Sequence, residues 1–178
     1  MDYVLRKATL DDRAAIGRLI AESARGLSLG DYTEEQIEAA IGSVFGVDTD
    51  LILDRTYFVA EASGALIGCG GWSRRRTLFG GDGYASRDSG GLDPESEPAK
   101  IRAFFVHPDW ARRGIGRAIL AACEEEARAF GFRSTELMAT LPGLRLYAAH
   151  GYEAAGRVEY EIGAGVRIEF VPMRKCLT

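Results

Sequence analysis

The chain has 178 residues, 47% of them hydrophobic and 27% charged, a composition typical of one globular domain rather than a disordered chain. Its formal net charge of −4 argues against a general nucleic-acid-binding protein. It has neither an apolar run near the roughly 18 residues of a membrane span nor an apolar signal-peptide core. We therefore expect a cytoplasmic protein with no nucleic-acid or membrane partner.

The cysteines and histidines argue against a metal site. Cys69, Cys123 and Cys176 lie far apart in the sequence, and only His107 and His150 accompany them. No zinc-ligand spacing can be drawn from these residues. Cys69 stands in an apolar strand-like run and Cys123 on the Ala-rich side of a predicted helix, so we interpret the thiols as small buried groups.

The N-terminal part begins with a predicted strand over residues 2–8 and an amphipathic helix after it. Thr33 and Gln36 have the spacing of a capping box, which predicts that a second helix begins there. The runs "TYFVAEA" and "ALIGCGGWS" flank Ser63 and Gly64, a pattern typical of a β-hairpin. Residues 74–99 follow, rich in Gly, Ser, Asp and Pro and without a sustained period. Such a long segment predicts either a functional lid or disorder.

The C-terminal part alternates strands and helices. Strands are predicted over 100–106 and 134–140, with a helix from Arg113 to Phe130 between them. In that helix Glu124, Glu125, Glu126 and Arg128 are interpreted as the solvated face. A short helix over 143–151 and a closing pair of strands complete the order β-α-α-β-β-β-α-β-α-β-β. The order predicts a single α/β (α+β) domain over residues 1–178, in which helices pack on a mixed sheet.

The stretch "RRGIGR" stands between the strand that ends near Val106 and the long helix. The first N–H groups of a helix have no intrahelical partner, and the helix dipole places partial positive charge there. Gly114 and Gly116 remove side chains from this turn, while Arg112, Arg113 and Arg117 add full charges around it. The alternative to an anion site is that Gly114 merely starts the helix and the arginines are solvated. Three arginines in this setting favour a site for a pyrophosphate.

Two common nucleotide motifs do not fit this turn. The dinucleotide fingerprint G-x-G-x-x-G would need a third glycine where Ile119 stands, and no Walker G-x-x-x-x-G-K-[ST] sequence occurs. A nucleotide-dependent kinase or dehydrogenase is therefore disfavoured.

The stretch "AFFVHPDWARRGIGRAIL" resembles the coenzyme A-binding motif of the GNAT superfamily of N-acetyltransferases. That motif is a strand, often V-x-P, and then [Q/R]-x-x-G-x-[G/A] opening a long helix. Ala111 departs from it at the Gln/Arg position. The segment "LYAAHGYE" is similar to the family's [F/L]Y-x-x-x-G[F/Y], and "VPMRK" to its closing strand. The resemblance covers about the last 80 residues. It implies a single-domain, mostly antiparallel sheet flanked by helices.

The resemblance also implies how acetyl-CoA, the acyl donor, would bind. The backbone of the strand would pair with the pantetheine arm, the amides of the turn would bind the pyrophosphate, and a residue at the family's Asn position would contact pantetheine. In this sequence those positions are Phe104, Phe105 and Val106, then Arg112, Arg113, Gly114, Ile115, Gly116 and Arg117, and lastly Thr140.

Tyr147 matches the tyrosine that, in many members, protonates the departing thiolate of coenzyme A. A phenol with a pKa of about 10 holds a proton at pH 7 and can donate it. Taken alone, Tyr147 would be interpreted as a packed core aromatic. The general base is left open among five candidates: Asp82, Asp88, Glu159, Glu161 and His150.

The family places the acceptor near residues 25–32 and 70–76 of this chain. Tyr32 and Trp72 would then offer flat walls, and the segment 74–99 would fold over them as a lid. Arg74, Arg75 and Arg76 are interpreted either as a site for an acidic acceptor or as an exposed patch.

Two functions from different classes remain. The first is an N-acetyltransferase that moves the acetyl group directly to a primary amine of a small molecule, amino acid or peptide. The second is a coenzyme A-binding sensor or interaction module without catalysis. Pairing of two chains in a homodimer is expected from the resemblance alone.

Overall fold

The computed structural model describes residues 2–84, 87–88 and 90–178. The N-terminal half contains β1 (Val4–Lys7), α1 (Arg13–Leu27), α2 (Glu34–Ala40), α3 (Thr49–Leu53), β2 (Tyr57–Ala62), β3 (Ala65–Ser73) and β4 (Ala99–Val106). The C-terminal half contains α4 (Ile115–Phe130), β5 (Ser134–Thr140), α5 (Leu144–Ala149), β6 (Glu153–Ala154), β7 (Val158–Gly163) and β8 (Val166–Cys176).

The strands form one mixed sheet in the order β1-β2-β3-β4-β5-β8-β6, and β7 also pairs with β8. All neighbours are antiparallel except β4 and β5, which are parallel. Helices α4 and α5 pack on one face through residues such as Ile119 and Tyr147. Helices α1 to α3 cover the other face through residues such as Ile20 and Leu51. The predicted fold class, a mostly antiparallel sheet flanked by helices, is confirmed.

Local predictions succeeded where a pattern was long enough. The Thr33 hydroxyl accepts a hydrogen bond from the Gln36 amide at 3.1 Å, so the capping box opens α2 as predicted. The five-residue α3 and the two-residue β6 were not predicted. Elements this short contain too few residues to show a period. Cys69 and Cys123 are buried as expected, whereas Cys176 is exposed.

The predicted solvated face of α4 is partly wrong. Glu124 is 9% exposed and accepts hydrogen bonds from Lys175 Nζ at 2.8 and 3.0 Å. Glu126 accepts one from the Trp72 indole at 2.9 Å. Phe130, the last residue of this helix, is 49% exposed although it is a large apolar side chain. Helix periodicity identifies a face, but a buried carboxylate also needs a cation, and this one comes from a distant strand.

The ladder between β4 and β5 ends early. Only Ala99 with Thr135 and Lys100 with Glu136 are in register, although both strands continue for at least four more residues. Beyond these pairs β4 bulges: Ala103 has φ 58°, and its register with β3 shifts between Cys69 and Gly71. The two strands therefore diverge, and one side of the β4 backbone has no partner in β5.

Charged residues are buried behind the bulge. The Arg102 side chain is 1% exposed, and its Nη2 lies 2.9 Å from Asp48 Oδ2. Its Nη1 donates to the Thr77 carbonyl at 2.8 Å. Arg87 donates to Asp48 and Asp50, both at 3.0 Å. Burial lowers the pKa of Arg102, while the charge of Asp48 opposes that shift. This ion cluster (Arg102, Asp48, Arg87 and Asp50) joins β4, the start of α3 and the segment 74–99.

Within the described residues, no helix has both the length and the apolar character that crossing a bilayer requires. Nor does any group of three or more His, Cys, Asp or Glu side chains there stand close enough together to bind a metal ion.

Replacing Asp48 with Asn is expected to lower the free energy of unfolding by about 3–5 kcal/mol, because the buried Arg102 loses its charged partner. Asn retains the N-cap that Asp48 gives α3, so the variant isolates the charge. Urea unfolding of Asp48→Asn beside Asp109→Asn, whose side chain is 87% exposed, measures the difference. The control should lie within about 0.5 kcal/mol of the parent. Equal midpoints for the two variants would contradict the prediction.

Candidate active site

A cleft opens where β4 and β5 diverge. Its walls include Ile101–Phe105 of β4 and the end of β5, with Tyr147 of α5 on one side. Loop residues 44–46 and 78–80, together with Phe170, form the other side. The bulge in β4 turns Phe104 towards the α4 face, where it packs beside Tyr147, and Phe105 towards the opposite face. The cleft therefore contains both backbone without a strand partner and a buried phenol.

Tyr147 is 8% exposed and lies edge-on to Phe104 and to Tyr152, at 6.1 and 5.8 Å between ring centroids. Its hydroxyl has no hydrogen-bond partner in the part of the chain that the structure describes. Burial raises its pKa above the ordinary value, so the phenol keeps its proton at neutral pH. Thr140 lines the same cleft. A Cβ on Gly143 would lie 3.2 Å from Tyr147 Cε2, so a larger residue there would require the ring to move by a few tenths of an ångström.

The N-terminus of α4 is arranged for an anion. Its N-cap is Gly114, with φ 84° and no capping side chain, and the first turn contains no acidic residue. Arg112, Arg113 and Arg117 are exposed around it. Free N–H groups, the helix dipole and nearby guanidinium groups all favour a phosphate at this position.

The two glycines of this turn serve different purposes. A Cβ on Gly114 would meet open space, so the left-handed backbone is what requires glycine there. A Cβ on Gly116 would lie 3.1 Å from Leu146 Cδ2, next to Tyr147 in the chain. The second glycine thus brings the α4 N-terminus close to α5, in addition to the predicted removal of a side chain.

Residues 17–152 match the family model described as Acetyltransferase (GNAT) family. The chain belongs to this family. The resemblance drawn from "RRGIGR" and "LYAAHGYE" is thereby confirmed, and the GNAT family is one of acyltransferases.

Solved structures share the fold. A GCN5-related N-acetyltransferase from Rhodopseudomonas palustris superposes with a TM-score of 0.71 at 22% identity, over 99% of this chain and 96% of that one. The yncA protein of Salmonella typhimurium, solved with its cofactor acetyl-CoA, gives 0.67 at 19% identity over 100% and 95%. At these identities the likeness concerns the fold alone.

One curated relative is the aminoglycoside N(6')-acetyltransferase type 1 of Stenotrophomonas maltophilia. It is 34% identical over 70 residues, which are 37% of this chain and 46% of the relative. The chain thus matches less than half the length of that curated relative.

Tyr32 and Trp72, which were expected to line the acceptor site of this GNAT chain, do not line the cleft. Trp72 is 3% exposed in the core under α4, where its indole donates to Glu126. The Tyr32 hydroxyl donates to the Glu169 carbonyl at 2.6 Å and accepts from the Leu141 amide at 3.0 Å. Burial raises the pKa of Tyr32 to about 12. Tyr32 thus ties β8 to the end of β5 rather than facing an acceptor.

The described parts of the segment 74–99 are anchored to the domain. Asp82 accepts from the Thr49 amide at 2.8 Å, and Asp88 from the Gly90 amide at 2.8 Å. Both carboxylates proposed as bases in this segment are thus bound to backbone amides. Arg75 forms two hydrogen bonds of 2.7 Å with Asp54. Arg76 is likewise paired with a carboxylate of its own segment, which weakens the reading of these arginines as a site for an acidic acceptor.

The other three base candidates also lie outside the cleft. Glu159 and Glu161 are on the exposed face of β7, whose alternate residues Tyr160 and Ile162 face inward. The Nδ1 of His150 lies 2.6 Å from the Leu146 carbonyl at the end of α5. No carboxylate or imidazole therefore lines the cleft among the described residues.

Sequence reasoning missed the aromatic residues of the cleft. Phe45, Phe79 and Phe170 come from three segments far apart in the chain, and the structure brings them to one wall. Phe79 had a visible signal, because it stands beside Leu78 in a segment that is mostly polar and Gly-rich. No pattern pointed to the other two.

The contrast between the glycines gives a test. Gly114→Ala is expected to lower the free energy of unfolding by about 1–2 kcal/mol, the cost of a left-handed backbone with a Cβ. In Gly116→Ala the gain in helix propensity, about 1 kcal/mol, offsets the small shift required of Leu146. Urea unfolding of the two variants measures both values. A larger loss for Gly116→Ala than for Gly114→Ala would disprove this assignment.

Proposed function

We propose that the protein is an acetyl-CoA-dependent N-acetyltransferase that moves an acetyl group directly to a primary amine of a small molecule, amino acid or peptide. The observation that carries the proposal is the hydroxyl of Tyr147, which has no hydrogen-bond partner among the described residues and belongs to a largely buried ring that lines the cleft between β4 and β5. The family membership and the arrangement of the α4 N-terminus support it. The same proposal includes that residues 1–178 form a single domain and that the protein is cytoplasmic. That two chains pair in a homodimer stays a prediction.

The residues present suit coenzyme A as the carrier. The amides from Arg112 to Arg117 would bind the pyrophosphate, and the unpaired side of the β4 backbone over Phe104–Val106 would bind the pantetheine arm. The Thr140 hydroxyl, in the position of the family's Asn, would contact a pantetheine amide. When bound, acetyl-CoA supplies a thioester that reacts with amines.

The chemical step then requires only a proton donor from the protein. The amine nitrogen forms a bond to the acetyl carbon, the carbon–sulfur bond breaks, and the thiolate takes the proton of the Tyr147 hydroxyl. The proton lost by the amine nitrogen goes to solvent, and the Tyr147 phenolate takes a proton back from solvent, which restores the acid for the next turnover. Cys69 lies fully buried on β3, opposite Phe105 of β4, and burial raises the pKa of its thiol to about 12. It stays a thiol at neutral pH, which supports direct transfer without an acyl-enzyme.

A non-catalytic coenzyme A sensor is the second candidate. This candidate is favoured because no carboxylate or imidazole that could act as a base lines the cleft in the described parts of the chain. The two functions differ in whether coenzyme A is released when an amine is added.

Acetyl-CoA is expected to stabilise the protein, whereas NADH and ATP are not. A ligand at a hundred times its dissociation constant adds about 2.7 kcal/mol. For a domain of this size that is a shift in Tm of roughly 5–10 °C. Thermal unfolding with each ligand in parallel measures it. A shift with NADH or ATP and none with acetyl-CoA would remove the proposal.

Tyr147→Phe should lower kcat about 100-fold or more, because the departing thiolate loses its proton donor. The thermal shift with acetyl-CoA should remain. Release of the coenzyme A thiol in the presence of an amine gives the rate. The matched control is Tyr152→Phe, which removes a buried hydroxyl bonded to Thr135 at 2.8 Å outside the cleft. It should cost about 1 kcal/mol of stability and leave kcat intact. Equal rates for the parent and Tyr147→Phe would rule out this role.

The pH profile of kcat should have no descending limb between about pH 8 and pH 10. The acid function of Tyr147 is present below its pKa and is lost as pH rises through it, and burial has raised that pKa. The measurement is initial rates with saturating amine, corrected for thioester hydrolysis without enzyme. A fall centred below pH 10 would show that another group acts as the acid.

A further inference from the structure

One wall of the cleft is made of aromatic rings. Phe45 contacts Phe105 and Phe170, with ring centroids 5.7 and 6.4 Å apart, and Phe79 contacts Phe170 at 5.4 Å. We call these four residues the aromatic wall. Phe45 and Phe170 are each only 3% exposed, whereas Phe79 and Phe105 are half-buried. The latter two therefore present surface that an acceptor can cover.

Phe79 is held in this position by further rings. Tyr160 of β7 and Tyr84 of the segment 74–99 lie 4.6 and 5.2 Å from it, centroid to centroid. Arg87, a member of the ion cluster, donates a hydrogen bond to the carbonyl of Gly80, the residue after Phe79. The aromatic wall is thus a fixed surface on the domain.

The charges around the cleft disfavour additional cations. The cleft residues that the structure describes include no carboxylate, and the one charged residue among them is Arg102. Three carboxylates that follow the lining loops 44–46 and 78–80 in the sequence are already engaged: Asp48 and Asp50 with arginines, and Asp82 with the Thr49 amide. Arg102 is itself 1% exposed and paired with Asp48, so its charge is already matched. A cationic group entering the cleft would therefore lose water without gaining a counter-ion.

From this geometry, and resting on the proposed function, we infer that the acceptor is a monoamine with an aromatic or branched apolar body. The body covers Phe79 and Phe105, and the reacting amine is the acceptor's only cationic group. Polycations such as aminoglycosides and polyamines are excluded as good substrates, in contrast to the substrate that the curated relative is named for.

The test compares four amines with saturating acetyl-CoA: 2-phenylethylamine, ethylamine, spermidine and kanamycin. Burial of the phenyl ring should raise kcat/KM for 2-phenylethylamine about 30-fold above ethylamine. Spermidine and kanamycin should react more slowly than 2-phenylethylamine by a factor of about 100 or more. Release of coenzyme A is followed for each, with the acetylated product confirmed by mass.

Two variants of one residue test the wall itself. Phe79→Ala should lower the ratio of kcat/KM for 2-phenylethylamine to that for ethylamine about tenfold. Phe79→Asp should lower it too and raise the relative rate with spermidine. Phe130→Ala is the matched control, because this ring is 49% exposed and packs beside Trp72 on the α4 face. It should keep the parent ratio, and the thermal shift with acetyl-CoA shows that each variant is folded.

The outcomes separate the two proposals. A higher kcat/KM for kanamycin or spermidine than for 2-phenylethylamine overturns the inference and leaves the transferase standing. So does turnover of one of the other amines without turnover of 2-phenylethylamine, or an unchanged ratio in Phe79→Ala. Binding of acetyl-CoA with no release of coenzyme A by any of the four amines overturns the inference and favours the coenzyme A sensor over the transferase. If acetyl-CoA gives no thermal shift and no amine releases coenzyme A, the proposed function itself has failed, and the inference with it.

Discussion

The early end of the β4–β5 ladder is the constraint on which the rest of the structure depends. After two paired residues the strands separate, and the bulge at Ala103 turns Phe104 over Gly70 of β3. A Cβ on Gly70 would lie 2.7 Å from the Phe104 ring and 2.9 Å from Ile119, so a glycine is required there for both to pack. Gly68 similarly admits Ile115. The glycines of β3 therefore let α4 pack close to the sheet, with the N-terminus of the helix near the open cleft.

The ion cluster positions the part of the cleft formed by residues 78–80, and it does so at a cost in desolvation. A buried arginine costs desolvation, which its pairing with Asp48 offsets only in part, so the cluster is weak evidence for stability. What it does provide is position. Arg102 binds the Thr77 carbonyl and Arg87 the Gly80 carbonyl, and these two contacts bracket Leu78 and Phe79. We interpret the cluster as selecting one arrangement of this segment over other compact ones.

The sequence predicted those features that are encoded locally. The alternation of "STELMAT" fixed β5 to the residue, and the glycines and arginines of "RRGIGR" marked the helix start and its charge. Tyr147 came from family resemblance, since its pattern alone is that of a core aromatic. Trp72 was expected near the acceptor because the resemblance locates that region only by segment, and almost all of β3 is buried on both faces, so its alternation does not say which face the ring occupies. The aromatic wall depends on four segments, and only the tertiary fold brings them together.

The apolar cleft imposes two requirements that act in the same direction. Desolvation favours the neutral form of every group inside, which keeps Tyr147 protonated as the donor and disfavours the ammonium form of an entering amine. The proposed acceptor has one amine, which gives the extra proton of its ammonium form to water and enters the cleft uncharged. A second cationic group would have to be desolvated as well, and no carboxylate lines the described cleft to receive it. In the proposed reaction, the apolar environment that keeps Tyr147 protonated thus also favours the neutral amine that attacks, and the proton that its nitrogen then releases passes to solvent, so that no basic side chain in the cleft is required.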